Sequence, residues 1–121
     1  MKIAIGGLSK NVMAAAIEKA SGGKIETVIT TDIGAVSMLK KGEVNYYFGA
    51  CESGGGAAIS ILIGMLGYSK CCTAAKNGQV AKKENLQKQV DEGKIAFGMS
   101  VESIETTVPL LVEALLEKNK T

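Results

Sequence analysis

Five times along this chain a short apolar run gives way to a stretch with helical periodicity. The runs Lys2–Gly6, Lys24–Thr30, Val44–Ala50, Cys71–Ala75 and Lys94–Met99 read as strands, being apolar, often β-branched, and bounded by Gly, Asn or Ser. Ser9 opens a helix to about Ala20 that turns Met13, Ala16, Ile17 and Ala20 inward, and Gly22-Gly23 stops it. Thr31 or Asp32 caps a second helix, which buries Ala35, Val36 and Leu39 and closes at Gly42. A third spans Gly54 to Leu66, and a fourth, Lys83 to Glu92, has only Leu86 and Val90 as anchors. The last runs from a Ser100 cap to Glu117 with Val101, Ile104, Val108, Leu111 and Leu115 inward, and Pro109 predicts a kink or a restart after Thr107. Strands joined by helices through such short links must run parallel, with helices on both faces of the sheet. The expectation is a single α/β domain over 1–121: a three-layer α/β/α sandwich on a five-stranded parallel sheet, in the flavodoxin-like, Rossmann-like order 2-1-3-4-5.

Composition narrows the chemistry. The chain has 121 residues, is 46% hydrophobic, and contains neither His nor Trp. All 14 of its basic residues are Lys, so no guanidinium fork is present to grip an anion. A net charge of +2, with lysines scattered singly or in pairs, offers no basic stripe for nucleic acid. Without His or a Cys-x-x-Cys pair, no metal site is expected, and no cofactor motif stands out. The 3 Cys include the adjacent Cys71-Cys72, which is no disulfide framework but core filling. Met1–Ile5 starts as a strand and not as a signal peptide, and the apolar run Ala57–Leu66 is too short to cross a bilayer. The expected setting is cytoplasmic, with no membrane partner.

One stretch concentrates reactive and permissive residues: Phe48-Gly49-Ala50-Cys51-Glu52-Ser53-Gly54-Gly55-Gly56-Ala57-Ala58. In the expected topology it leaves strand three at the switch point, facing Gly6-Gly7-Leu8-Ser9 at the end of strand one. Cys51 would then sit one or two residues before a helix N-terminus, where the dipole favours a thiolate able to act as nucleophile or base. The alternative is a small buried hydrophobe. Gly54, Gly55 and Gly56 suit close backbone approach to an anion, or else tight helix–sheet packing. Ser53 reads as a helix cap able to bond a ligand as well. Glu52 reads as a solvated carboxylate or an acid–base group beside the thiol. Gly6, Gly7 and Ser9 would form the opposite wall, or simply a tight turn and a cap. Lys76, after strand four, is the best-placed cation, although such lysines are commonly only solvated. Helix three, apolar on nearly every side, must be covered on every side. Either neighbouring elements cover it, or Ala57–Leu66 forms the interface of a homo-oligomer, most simply a two-fold homodimer.

Three blocks carry a resemblance: Gly49-Ala50-Cys51-x-Ser53-Gly54-x-Gly56-Ala57-Ala58-x-Ser60, Gly67-Tyr68-x-Lys70-x-Cys72-Thr73, and Gly93-Lys94-x-Ala96-Phe97-Gly98-Met99-Ser100-Val101-Glu102. Together they resemble the YhfU-like family of small bacterial proteins of unknown function, and the central block is similar to the glycine-rich SFCGS family. The likeness implies a bacterial cytoplasmic protein and brings no assigned catalytic residues. Gly42-Glu43 followed by Cys51-x-Ser53-Gly54-x-Gly56 also resembles a block of ribose-5-phosphate isomerase B. That likeness implies Cys51 as the base that moves a proton between adjacent carbons, Ser53 in place of a Thr, and Gly54 and Gly56 as N–H donors. The chain departs from that block at Glu52, which replaces a Gly, and it lacks the family's ring-opening His and phosphate-binding Arg. The resulting expectation is a protein that binds a small anionic metabolite, a sugar phosphate or carboxylate, with Cys51 catalysing an isomerase-like step. The alternative is a non-catalytic, homo-oligomeric binding or regulatory subunit.

Overall fold

A computed structural model describes residues 1–57 and 59–120. Ala58, placed by sequence in helix three, and Thr121 lie outside the described residues. The order is β1 (Lys2–Gly7), α1 (Lys10–Ser21), β2 (Glu26–Ile29), α2 (Asp32–Lys41), β3 (Tyr46–Cys51), α3 (Ser60–Leu66), β4 (Cys71–Ala75), α4 (Lys83–Asp91), β5 (Ala96–Ser100) and α5 (Ile104–Lys118). Short 3-10 turns at Tyr68–Lys70 and Val101–Ser103 precede β4 and α5. Several local signals act as read. Thr31 Oγ1 accepts from Gly34 N at 2.9 Å, and Gly22 and Gly42 end their helices at φ 62° and 74°. Leu86 and Val90 are the buried residues of α4.

All five strands are parallel, as expected, but their order is 2-1-3-5-4 and not 2-1-3-4-5. Burial explains the exchange of the last two. Every residue of β5 is buried, whereas β4 buries fully only Cys71 and Ala75. An interior parallel strand must be covered on both faces, and β5 is the one that is. Gly98 lets Ile59 settle on β5, since a Cβ there would lie 3.0 Å from the Ile59 Cγ2 atom. The order also decides which face each helix takes. The steps β1→β2 and β4→β5 run one way across the sheet, and β2→β3 and β3→β4 run the other. Crossovers of a single, right-handed sense then place α1 and α4 on one face and α2 and α3 on the other. The two cores agree. Met13, Ile17, Leu86, Val90 and the α5 apolar residues share one cluster with Phe48, Phe97 and Met99. Ala35, Val36, Ile59 and Leu62 share the second with Tyr47 and Ala96.

Three further expectations change. α3 begins at Ser60, not Gly54, because residues 52–57 spend their backbone on loop contacts described below. Its apolar character is partly used at home: Ile59 and Leu62 are buried and Ile61, Ile63 and Leu66 half-buried, which leaves Met65 the most exposed large side chain of the helix. α5 runs unbroken through Pro109. Pro109 and Glu105 both face solvent, so the Glu105 carbonyl that Pro109 cannot bond meets water. Ser9 precedes α1 at φ 53° and makes no side-chain cap bond.

Groups whose protons are held by desolvation, chiefly the half-buried Cys72 and the buried Tyr47, tie stability to alkaline pH. Burial pushes the Cys72 thiol up to about 12 from its ordinary 9.0, against a smaller opposing pull from Lys94. Burial, with help from the Asp32 carboxylate, raises the Tyr47 phenol above its ordinary 10.0. In each case the folded state holds a proton that the unfolded chain releases sooner. Stability is therefore intact below the unfolded value and declines as pH rises past it. Urea midpoints should fall progressively from about pH 9 upward, and Cys72→Ala should flatten the first part of the decline. A wild-type midpoint that stays level across this range contradicts the assignment.

Candidate functional site

Two glycines at the carboxyl ends of β1 and β3 serve a tyrosine. Gly6 and Gly49 are paired across the strands. Tyr47, fully buried, lays its phenol over both. A Cβ on Gly6 would stand 2.6 Å from the Tyr47 hydroxyl, and one on Gly49 would stand 2.7 Å from its Cζ. The next residue, Gly7, adopts φ +74° and closes on Ala50, whose nitrogen an added Cβ would approach to 2.7 Å. Leu8 N donates to Ala50 O at 2.8 Å. The carboxyl ends of β1 and β3 thus meet, and Gly6 and Gly7 pack there against Tyr47 and Ala50. Ser9 is the only described non-glycine residue with positive φ.

The β3 loop turns away from this junction toward β5 and β4. Cys51 ends β3, is buried at 9% exposure, and pairs in register with Ser100. Gly54 N donates to Cys51 Sγ at 3.1 Å. Gly54 itself is wedged at φ +75° where a Cβ would lie 2.6 Å from Ala75 O, 2.8 Å from Lys76 Cα and 2.9 Å from Ser100 N. The loop therefore crosses the end of β5 and rests on the end of β4. Asn77 N donates to Ser53 O at 2.9 Å and pins it there. Ser53 Oγ accepts from Gly55 N at 3.1 Å and so closes the loop instead of capping a helix. Glu52, Ser53 and Gly55 are exposed, and Gly56, half-buried at φ +106°, would have open space around a Cβ.

This geometry replaces one part of the sequence argument. The helix that follows Cys51 starts nine positions later, at Ser60. Cys51 therefore does not stand one or two residues before a helix N-terminus, the position where a macrodipole would favour its thiolate. Among the described contacts, the Gly54 N–H is aimed at the sulfur, a geometry that charge on sulfur would strengthen. Burial pushes the other two thiols, Cys71 and Cys72, upward and away from reactivity at neutral pH.

Beside the Gly54 wedge lies a cavity of ≈ 340 Å³ lined by Lys76, Gln79, Ser100, Glu102, Ser103 and Thr106 among others. Lys76 is thus the one expected site residue that lines it. Cys51, which pairs with Ser100, and Gly54, which packs on Lys76 and Ser100, adjoin two of its lining residues. Gly6, Gly7 and Ser9 belong to the other side of β3. Lys76 N donates to Gln79 Oε1 at 2.9 Å and holds the β4 loop in place. Ser100 Oγ accepts from Ser103 N at 3.2 Å, Ser103 Oγ donates to Ser100 O at 2.9 Å, and Thr106 Oγ1 donates to Ser103 O at 3.2 Å. Sequence reasoning treated Ser100 only as a cap and passed over Ser103 and Thr106. Their signal was there: hydroxyls every third residue leaving a strand lie on one side of the following turn. A larger groove, ≈ 660 Å³, runs between α1 and α5, but its walls are mostly apolar. The loop cavity is the better candidate because Lys76, Gln79, Ser100, Glu102, Ser103 and Thr106 give it a predominantly polar set of lining residues.

The chain matches the family described as "Protein of unknown function DUF2620" over residues 1–115, and it belongs to that family. It is 44% identical over 114 residues to "Uncharacterized protein YhfU" of Escherichia coli (strain K12), covering 94% of this chain and 97% of that protein. The Shigella flexneri protein of the same name matches equally. Among solved structures it is similar to a type B ribose 5-phosphate isomerase of Trypanosoma cruzi, with TM-score 0.65 and 13% identity, covering 96% of this chain and 82% of that one. Ribose-5-phosphate isomerase B of Giardia lamblia gives TM-score 0.63 and 16% identity, with 98% and 92% covered. At these identities the likeness is one of fold.

Gly54→Ala should cost about 3 kcal/mol or more, since the new methyl meets backbone that cannot swing away and positive φ adds strain. Gly56→Ala, strained but uncrowded, should cost about 1 kcal/mol. Denaturant unfolding of the two variants checks this, and equal losses would contradict the wedge.

Proposed function

We propose that the loops over β3, β4 and β5 bind a small anionic sugar derivative, a phosphate or a carboxylate, with Cys51 turned toward it. The observation that carries this reading is the Gly54 N–H on the Cys51 sulfur at the point where all three loops meet. Lys76 supplies the nearby positive charge, and backbone N–H groups supply the rest of the grip, as the absence of Arg requires. A carboxylate wall, Glu102, favours hydroxyl groups over a second anion on that side.

The fold likeness to ribose 5-phosphate isomerases supports a reaction class. Interconversion of an aldose and a ketose needs a base that removes a proton from the carbon beside the carbonyl and returns it to the neighbouring carbon. By the enediolate route the electron pair left at that carbon forms the C=C bond, the hydroxyl proton passes from one oxygen to the other, and the step is redox-neutral overall. In this reading Cys51 is that base, and loop N–H groups hold the enediolate oxygens. No imidazole is present to open a sugar ring, so the open-chain form is the substrate. The burial of Cys51 also supports a second reading, in which the thiol shapes the floor of a non-catalytic binding or regulatory subunit.

Titration calorimetry with ribose 5-phosphate, ribitol 5-phosphate and ribonate separates these readings. Lys76→Ala should weaken binding about tenfold or more. Cys51→Ser should leave affinity within about threefold while abolishing deuterium uptake from D2O at the carbon beside the carbonyl. Binding without any deuterium uptake by the wild type selects the non-catalytic reading. No binding of any of the three, or binding indifferent to Lys76, overturns the site.

A further inference from the structure

The chain holds a single Asn-Gly pair, Asn77-Gly78, and it falls in the loop after β4. Lys76 and Gly78, on either side of Asn77, both line the loop cavity. The turn is anchored by two of its amides. Asn77 N donates to Ser53 O at 2.9 Å and Gln79 N to Lys76 O at 3.1 Å. The amide between them, Gly78 N, donates to no described residue, and the Asn77 side chain has no hydrogen-bond partner among the described residues. Both residues are exposed. Gly78 stands at φ +77°, and a Cβ there would meet nothing within 4 Å. An unbonded carboxamide thus lies next to an unbonded backbone nitrogen that no side chain of its own residue shields.

We propose that Asn77 is a site of self-modification, where the carboxamide becomes aspartate and isoaspartate through a cyclic imide closed by Gly78 N. That nitrogen attacks Asn77 Cγ. A C–N bond forms there, the Gly78 amide proton passes to water, and the side-chain nitrogen leaves as ammonia. Water then opens the ring at one of its two carbonyls. Opening at Cγ gives aspartate. Opening at the main-chain carbonyl gives isoaspartate, whose backbone runs through Cγ and is longer by one methylene. Water is the sole co-reactant, and nothing is oxidised or reduced.

The other asparagines lack this combination. Asn45 Oδ1 accepts from Lys2 N at 2.9 Å, and Asn119 Nδ2 donates to Leu115 O at 2.8 Å. Asn11 and Asn85 lie inside α1 and α4, ahead of the bulkier Val12 and Leu86. At Asn77 either product sets a carboxylate beside Lys76. Isoaspartate also adds a methylene between the two anchoring amides and so changes the spacing that their bonds to Ser53 and Lys76 require. Conversion therefore weakens anion binding in the cavity, a consequence that rests on the anion site proposed above.

Full-length protein, aged folded at neutral pH and then cut at lysine, tests this, because the peptide Asn77–Lys82 carries no other asparagine. That peptide should gain the mass of an amide-to-acid exchange before any other asparagine peptide does, and an isoaspartyl methyltransferase should label it. Asn77→Gln, whose ring would be larger and slower to close, should stay unconverted. A peptide that keeps its amide in folded protein while converting in guanidinium-unfolded protein overturns the proposal, as does earlier conversion at another asparagine. Calorimetry with ribose 5-phosphate reads the consequence separately. Aged protein and Asn77→Asp should bind about threefold or more weakly than fresh wild type, and added salt should narrow the gap. Fresh protein that does not bind overturns the anion site and leaves the conversion standing. Fresh and aged protein that bind alike overturn the effect assigned to the new carboxylate.

Discussion

The arrangement of loops at the carboxyl edge depends on there being no side chain at position 54. Gly54 sits where the Ala75 carbonyl, the Lys76 backbone and the Ser100 nitrogen leave room for hydrogen alone. From that position its N–H reaches Cys51, and the neighbouring Ser53 carbonyl takes the Asn77 N–H. One residue thus fixes the distance between the end of β3 and the ends of β5 and β4. The far end of the same loop is held by Ile59, seated against Gly98 on β5. α3 begins just after the second anchor, at Ser60.

Strand order gives the wedge something to close on. With β5 beside β3, Cys51 faces Ser100 in register, and the loop needs to cross only one strand to reach Lys76. Had β4 lain beside β3, the hydroxyls that begin α5 would stand two strands from the thiol. The same order sends α3 and α5 to opposite faces from neighbouring strands, and the cavity lies at the carboxyl edge between the loop after β4 and the start of α5.

Features set by nearby residues were legible in the sequence. Thr31, Gly22 and Gly42 cap and stop helices by local bonds, and α4 buries the two apolar residues its pattern offered. What depends on distant partners was not legible. Nothing in the text of β4 and β5 ranks one above the other until both faces of the sheet are covered. Gly6 looks like a ligand glycine until Tyr47 is seen lying over it and its cross-strand partner Gly49. The apolar run after Gly56 reads as a long helix because the pattern is silent about the backbone contacts of Ser53 and Gly54. Cys51 and Lys76 could be singled out by position alone, and Ser103 and Thr106 by their spacing from Ser100, but which loop stands opposite those hydroxyls depends on the strand order.

The central claim is that ligand chemistry sits over β3, β4 and β5, not between β1 and β3 and not in the α1–α5 groove. Amide shifts of 15N-labelled protein titrated with ribose 5-phosphate test it directly. The account predicts that the largest changes fall at Ser53–Gly56, Lys76–Gly78 and Ser100–Ser103. Changes concentrated at Gly6–Ser9, or along Val12–Ala20 and Pro109, would contradict it.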